Sequence, residues 1–246
     1  MPSPELTHSH SRPTGPATIN AVVTLLKWRG LPIELAQRIV DQAQYWTKCT
    51  RSNKRACTVI ARMAPPRQSS GGQLETWTSG QEDEVKEDME MEGSGLRDRI
   101  GEVWYLCSSP MGCLLKQRNG GEEKDETGAS SWIRQVAVET FSRDQGWSDN
   151  AAHYGKYEHS YSWFEMSLLR NGQEVPESRV KIQYNVHAGQ YFKSHRHVFD
   201  KTHPLVRDAV EGDRLVLWAR AEYPGWTNVI KEASISVYTA PYPVPR

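Results

Sequence analysis

A mainly β chain, folded as an antiparallel β-sandwich of the jelly-roll kind behind an N-terminal helical segment and a long disordered linker, is the class this sequence predicts. Three observations predict it. Beyond residue 131 the apolar period becomes two, the spacing that sends alternate side chains to opposite faces of a sheet. Turn signals divide that region into short runs with no long helix between them: Asn171-Gly172, His187-Ala188-Gly189, Glu211-Gly212-Asp213 and Pro224-Gly225. Five of the nine tryptophans and eight of the ten tyrosines lie there, and aromatic residues favour pleated, half-buried surfaces.

The strands follow in order. Residues 132–141, 160–169 and 191–199 have strand composition. Val180, Ile182, Tyr184 and Val186 alternate with Lys181, Gln183, Asn185 and His187. Leu215, Leu217 and Ala219 alternate with Val216, Trp218 and Arg220, and Ile235 and Val237 continue the period. Six or more such strands without helical crossovers make a sandwich, here placed at 131–242. Residues 203–210 (HPLVRDAV) predict a short helical turn before the EGD turn. Trp132, Trp163 and Trp218 read as sandwich packing.

Upstream, residues 1–18 carry prolines among Ser, Thr and His and too little apolar surface to offset the entropy of ordering, so a disordered tail is expected. Residues 19–50 form the helical segment, with a helix over about 32–47. Leu35, Ile39, Ala43 and Trp46 recur at helical spacing, and Pro32 suits a first turn whose missing N–H costs nothing. Residues 51–130 read as a low-complexity acidic linker, with APPRQSSGG at 64–72, an acidic run at 82–95 and NGGEEKDETGASS at 119–131. Within it, EVWYL at 102–106 is expected to form a short hairpin with Leu114 and Leu115, near 102–115.

Thirty acidic and thirty basic side chains cancel, so no whole-chain field attracts nucleic acid or an anionic membrane. The patch Lys48, Arg51, Lys54 and Arg55 reads as a solvated loop. Cys49, Cys57, Cys107 and Cys113 lack a C-x-x-C spacing, which argues against a zinc knuckle. With neither a secretory signal nor a membrane-length apolar run in the sequence, a cytoplasmic or nuclear protein with reduced thiols is expected. The chain carries no cofactor motif.

Residues 30–46 (GLPIELAQRIVDQAQYW) resemble the opening of an F-box, whose first helix begins Leu-Pro-x-Glu-Leu. That likeness implies a Skp1-like adaptor of a ubiquitin ligase as partner, contacted by Leu31, Pro32, Leu35, Ile39 and Trp46. Independently, an apolar stripe of that kind needs a partner surface, either an adaptor or the sandwich. Taken with RQVAVETFSRDQGWSD, YSWFEM, NVHAG and LWARAEYPGWTNVIKEASISVY, the chain resembles uncharacterised fungal F-box-like proteins with a C-terminal β domain. A more distant likeness is to F-box proteins that recognise glycosylated substrates and to the plant phloem lectins, whose jelly-roll domain follows an F-box. The former stack sugar on a tyrosine and tryptophan loop before the last strand, a place held here by Tyr223 and Trp226.

DQGW and YPGWTN combine aromatic faces, which pack on sugar C–H surfaces or apolar peptide side chains, with amides and a carboxylate that orient a ligand. Asp144, Gln145, Trp147, Tyr223, Trp226 and Asn228 are therefore the expected ligand-binding residues, converging at one sheet end. The bland alternative has the tryptophans plugging the sandwich end and Asp144 capping a turn. His195 and His197 share one strand face with His187 and His203 nearby, a weak zinc pattern read here as no metal site. With no G-x-S-x-G, G-x-x-x-x-G-K or H-E-x-x-H present, no catalytic residue is assigned; the rival reading is a hydrolase using Glu165 and His153, against which stands the expectation that Glu165 pairs with Arg220. The reading that follows is a non-catalytic recognition or adaptor protein whose sandwich binds a protein or glycan. The alternatives are a lectin-like module without a ligase role and the hydrolase.

Overall fold

The computed structural model describes residues 15–61, 90–92, 95–98, 101–112 and 132–243. Two helices open it, α1 (Pro16–Trp28) and α2 (Ile33–Gln42), followed by strands β1 (Thr47–Asn53), β2 (Cys57–Ile60), β3 (Glu90–Glu92), β4 (Gly95–Asp98), β5 (Glu102–Cys107) and β6 (Trp132–Arg143). The remainder is β7 (Ser162–Arg170), β8 (Gln173–Glu174), β9 (Val180–Tyr184), β10 (Lys193–Asp200), the helical turn α3 (Pro204–Arg207), β11 (Arg214–Ala221) and β12 (Thr227–Ala240).

The fold is mainly β, as the alternating period predicts: two sheets packed as a sandwich. Among the described residues one sheet has seven strands, running β10-β6-β12-β2-β4-β3 with β1 also on β12. The other has five, β5-β11-β7-β8 with β9 also on β7. Pairing is antiparallel except between β2 and β4, which run parallel. β12 is long enough to serve two neighbours on one edge, Thr227–Ile230 against β2 and Ala233–Thr239 against β1, while β6 lines its other edge.

The inward faces close on Val136 and Val138 of β6, Phe164, Met166 and Leu168 of β7, Leu215 and Leu217 of β11, and Ile230 and Ile235 of β12, all fully or almost fully buried. Each such side chain contributes about 1.5–3 kcal/mol of transfer free energy.

Several expectations are corrected. The sandwich is larger than 131–242, because β1, β2 and β5 belong to it and β3 and β4 extend the edge of its seven-stranded sheet, so the described stretches of 51–130 that form these strands are not linker. The signal was weak at β1, whose TKCTRSN has too few apolar residues to show a period; it is held by its ladder to β12 and by Thr47 Oγ1 hydrogen-bonding Thr239. Lys48 and Arg51 accordingly stand on a strand rather than in a loop. β5 pairs with β11; Leu114 and Leu115, its expected hairpin partners, lie outside the described residues. So do residues 1–14, 64–72 and 119–131, while residues 16–18 of the expected tail enter α1, with Pro16 at its first position.

The helix expected over 32–47 ends at Gln42. Gln44 takes a φ of 50°, which turns the chain out of the helix and into β1. α2 then packs on α1 and the sandwich through Ala36 and Val40, which meet Ile19, Val23, Ala240 and Tyr242. The stripe named from the sequence is not that face. Leu35 and Ile39 are exposed, Leu31 is half-buried, Pro32 is exposed, and Trp46, beyond the helix, donates its indole N–H to Asp41 at 2.9 Å.

Trp163 and Trp218 are also displaced from the inter-sheet core. They lie on the outer face of the five-stranded sheet, with Trp104 beside Trp218. The Arg179 guanidinium sits 3.9 Å from the Trp218 ring and Lys181 Nζ 4.0 Å from Trp163, so cationic stems roof these indoles. Trp132 is exposed.

Candidate functional site

At one end of the sandwich the inward-facing positions change from apolar to polar. On β6, Val136 and Val138 are followed at the same spacing by Thr140 and Ser142, and then by Asp144 beyond the strand end. Across from them come Ser162, Gln183, Asn185 and Asn228, all buried. Thr140 Oγ1 donates to Gln183 Oε1 at 2.8 Å, and Ser142 Oγ to Asn185 Oδ1 at 2.8 Å. Asn185 Nδ2 lies 2.9 Å from Asn228 Oδ1 and 3.0 Å from Ser162 Oγ, and Asn228 Nδ2 donates to the Trp163 carbonyl at 3.0 Å. A bulge between Phe164 and Glu165 in the β7–β9 ladder lets Gln183 point inward while Val180 and Ile182 still touch the core.

Asp144 ends this network. Its Oδ1 accepts from the Gln145 N–H at 2.8 Å and the Ser162 hydroxyl at 3.1 Å, and its Oδ2 from the Ala188 N–H at 3.0 Å. It thereby ties the loop after β6 to the NVHAG turn. Burial raises its pKa to about 6 in spite of those donors. A group raised in the folded state contributes stability that is complete below its unfolded value near 4 and is lost as the pH climbs through 6. The free-energy difference between the protein and its Asp144→Asn variant should therefore shift by about 2–3 kcal/mol between pH 4 and 7 and stay flat above, measured by urea unfolding across pH.

Above this floor lies a cleft of about 270 Å³ lined by Gln145, Trp147, Ser148, Asp149, Asn150, His159, Tyr161, His187, Pro224, Gly225 and Trp226. Its walls are aromatic. Tyr161 and Trp226 stand edge to face, ring centres 5.0 Å apart and planes at 80°, and Tyr223 buttresses Tyr161 from outside at 4.7 Å. Trp147 lies across Gly225, where an added Cβ would sit 3.5 Å from the indole at a φ of +92°. Gln145 Nε2 pins the Trp147 carbonyl at 2.8 Å. Positive φ values at three non-glycine residues, His159, Ala188 and Tyr223, cluster around this cleft; strain of that kind collects at ligand clamps.

Of the six ligand residues expected from the sequence, Gln145, Trp147 and Trp226 line the cleft and Tyr223 supports its rim. Asp144 and Asn228 are corrected: both are fully buried beneath it with every polar atom committed to protein partners, so they position the floor and touch no ligand. Tyr161, His159, His187 and the Ser148-Asp149-Asn150 turn are additional. NVHAG carried the signal for His187, but the period-two reading puts it on the polar face of a strand at the start of a turn, not at a ligand site.

The other candidates are accounted for elsewhere. His195 Nδ1 meets Gln183 Nε2 at 3.0 Å and its Nε2 the Tyr157 hydroxyl at 2.9 Å, and His197 Nε2 meets Gln183 Oε1 at 3.2 Å, so their nitrogens serve the buried network. Burial lowers the pKa of both. Among the described residues no group of histidine, cysteine or carboxylate side chains is arranged to hold a metal ion. Glu165 accepts from the Trp163 indole at 2.6 Å and lies 3.5 Å from Arg220 and 3.6 Å from Arg179 on the outer face of the sheet. His153 belongs instead to a histidine cluster at the cleft end, 4.0 Å ring to ring from His159. No helix of the described residues is long and apolar enough to cross a membrane.

No protein-family model matches the chain, and a search of curated proteins returns no significant match. The site's geometry therefore carries the functional reading by itself.

Proposed function

We propose that the chain is a non-catalytic recognition protein whose sandwich binds a glycan in the end cleft. The observation that carries this reading is the pairing of exposed and half-exposed indoles, Trp147 and Trp226, with Tyr161 and with open polar side chains at Asp149 and Asn150. Aromatic planes pack on sugar C–H faces, while neighbouring amides and carboxylates select hydroxyl geometry. Tyr223 and Trp226 precede the last strand, as the sugar-stacking loop does in the glycan-recognising F-box proteins that the chain distantly resembles, and that resemblance supports the same reading. Trp226→Ala and Trp147→Ala should each weaken glycan binding by about tenfold or more, as truncation of a central aromatic anchor does, with the unfolding midpoint little changed for the exposed Trp147. A glycan-array null together with unaltered tryptophan fluorescence would sink the proposal.

A second element of the reading concerns the helices. Trp28 is 81% exposed, and Leu25, Ile33, Leu35 and Ile39 are also exposed on α1 and α2, whose other faces are used on the sandwich. An apolar set of this size on a helical pair favours a protein partner. With the F-box likeness, the partner class is a ubiquitin-ligase adaptor, which would make the chain a substrate receptor. Leu35→Asp should abolish co-purification of a Skp1-like adaptor without altering the unfolding free energy by more than about 0.5 kcal/mol, since an exposed position is altered. Adaptor binding that survives this change contradicts the docking assignment.

A further inference from the structure

The cleft's chemistry narrows its ligand, given the glycan reading above. His187 is 2% exposed and lines the cleft, yet its Nε2 has no hydrogen-bond partner among the described residues. Its other nitrogen, Nδ1, lies 2.8 Å from the His159 carbonyl. A carbonyl only accepts, so Nδ1 carries a hydrogen, and in the tautomer with that single hydrogen Nε2 is an acceptor. A buried acceptor without a donor costs about 1–3 kcal/mol, which a ligand O–H would relieve once the side chains closing over this nitrogen move aside to admit it.

The charges around it limit the ligand further. Asp149 is the one carboxylate among the lining residues, and neither lysine nor arginine lines the cleft. An anionic ligand would meet no lysine or arginine there and would face Asp149. The His187 ring is 5.2 Å from Trp226 at a steep angle, so a hydroxyl held at Nε2 and a C–H face packed on Trp226 fit one small ring.

We infer that the cleft selects an uncharged saccharide ring, stacked on Trp226 with one hydroxyl donating to His187 Nε2. A quaternary ammonium would suit the perpendicular Tyr161 and Trp226 walls but has no hydrogen to donate to this acceptor.

The test uses the full chain and follows tryptophan fluorescence and calorimetry. The probes are glucose, galactose, mannose, N-acetylglucosamine and their β-1,4-linked disaccharides, beside glucuronate, galacturonate, N-acetylneuraminate and choline. At least one neutral sugar should bind, and its uronate counterpart at least about tenfold more weakly. His187→Leu should lose about tenfold in affinity while His187→Gln, which keeps an acceptor, stays within about threefold, each with unchanged far-ultraviolet circular dichroism. An acidic sugar binding as tightly as its neutral counterpart, preferential binding of choline, or a folded His187→Leu with undiminished affinity overturns the inference. The first and last of these leave the glycan reading standing. If no saccharide binds below about 50 mM, the glycan reading fails and the inference with it.

Discussion

Replacing Asp41 with alanine is expected to destabilise the protein by about 3–5 kcal/mol, as removal of one partner from a buried ion pair does. Asp41 Oδ1 accepts from Arg134 Nε at 2.9 Å, and the arginine side chain is 2% exposed. It also accepts from the Trp46 indole, and the Tyr242 hydroxyl lies 3.4 Å away. Arg134 in turn reaches the carbonyls of Tyr242 and Pro243, at 2.7 and 3.1 Å. One carboxylate thus ties α2, the start of β1, β6 and the chain beyond β12 into one joint. Without it the guanidinium keeps carbonyl partners but loses its counter-charge in a place that water does not reach. Asp41→Asn, which retains an acceptor, should cost less than half as much. Replacing Asp41 and Arg134 together with Leu and Met should recover most of the loss, because a packed apolar pair replaces a buried ionic one at little net cost. Urea unfolding of the four proteins checks the series; a loss below about 1 kcal/mol for Asp41→Ala would show that the helices are not anchored here.

Asn185→Ala should be the second large effect, about 2–4 kcal/mol, from stranding several polar groups inside the sandwich. Asn185 accepts from Ser142 and donates toward Ser162 and Asn228, with the Arg143 carbonyl at 3.4 Å. Alanine leaves the Ser142 hydroxyl and the Asn228 carbonyl oxygen without those partners and opens a small void. Because the same network carries Asp144, and Asp144 holds the backbone next to His187, cleft binding should weaken as well. A variant whose urea midpoint is unchanged would mean that water repairs the network, contrary to its full burial.

What the sequence made legible was the repeating apolar part of the fold. Strands 6, 7, 11 and 12 announce themselves because their inward positions are Val, Ile, Leu, Phe and Met over five or more residues. β1 was not legible, since TKCTRSN is stabilised by its ladder to β12 rather than by its own apolar side chains. The outer-face position of Trp163 and Trp218 was likewise hidden: composition says that an indole wants cover but not that Arg179 and Lys181 supply it.

The site was half legible for a related reason. Aromatic residues in turns stand out, and Trp147, Trp226 and Tyr223 were found that way. The polar floor inverts the usual rule, because Thr140, Ser142, Asn185 and Asn228 occupy inward positions although their polar side chains read as solvent-facing. Only their mutual hydrogen bonds make that burial tolerable, and those pairs join residues about 40 apart or more in sequence, such as Ser142 with Asn185 and Asn185 with Asn228. Asp144 and Asn228 therefore looked like ligand contacts and are supports.

The central claim is that the end cleft, and neither the outer aromatic face nor the helices, is the surface that recognises the glycan. The most direct measurement is a ¹⁵N–¹H spectrum of the tryptophan indoles during titration with the neutral sugars named above. The indole resonances of Trp147 and Trp226 should shift in a saturable way while those of Trp28, Trp104, Trp163 and Trp218 stay in place. Shifts confined to Trp28 or to the outer-face indoles, or no shift at any indole, would contradict it.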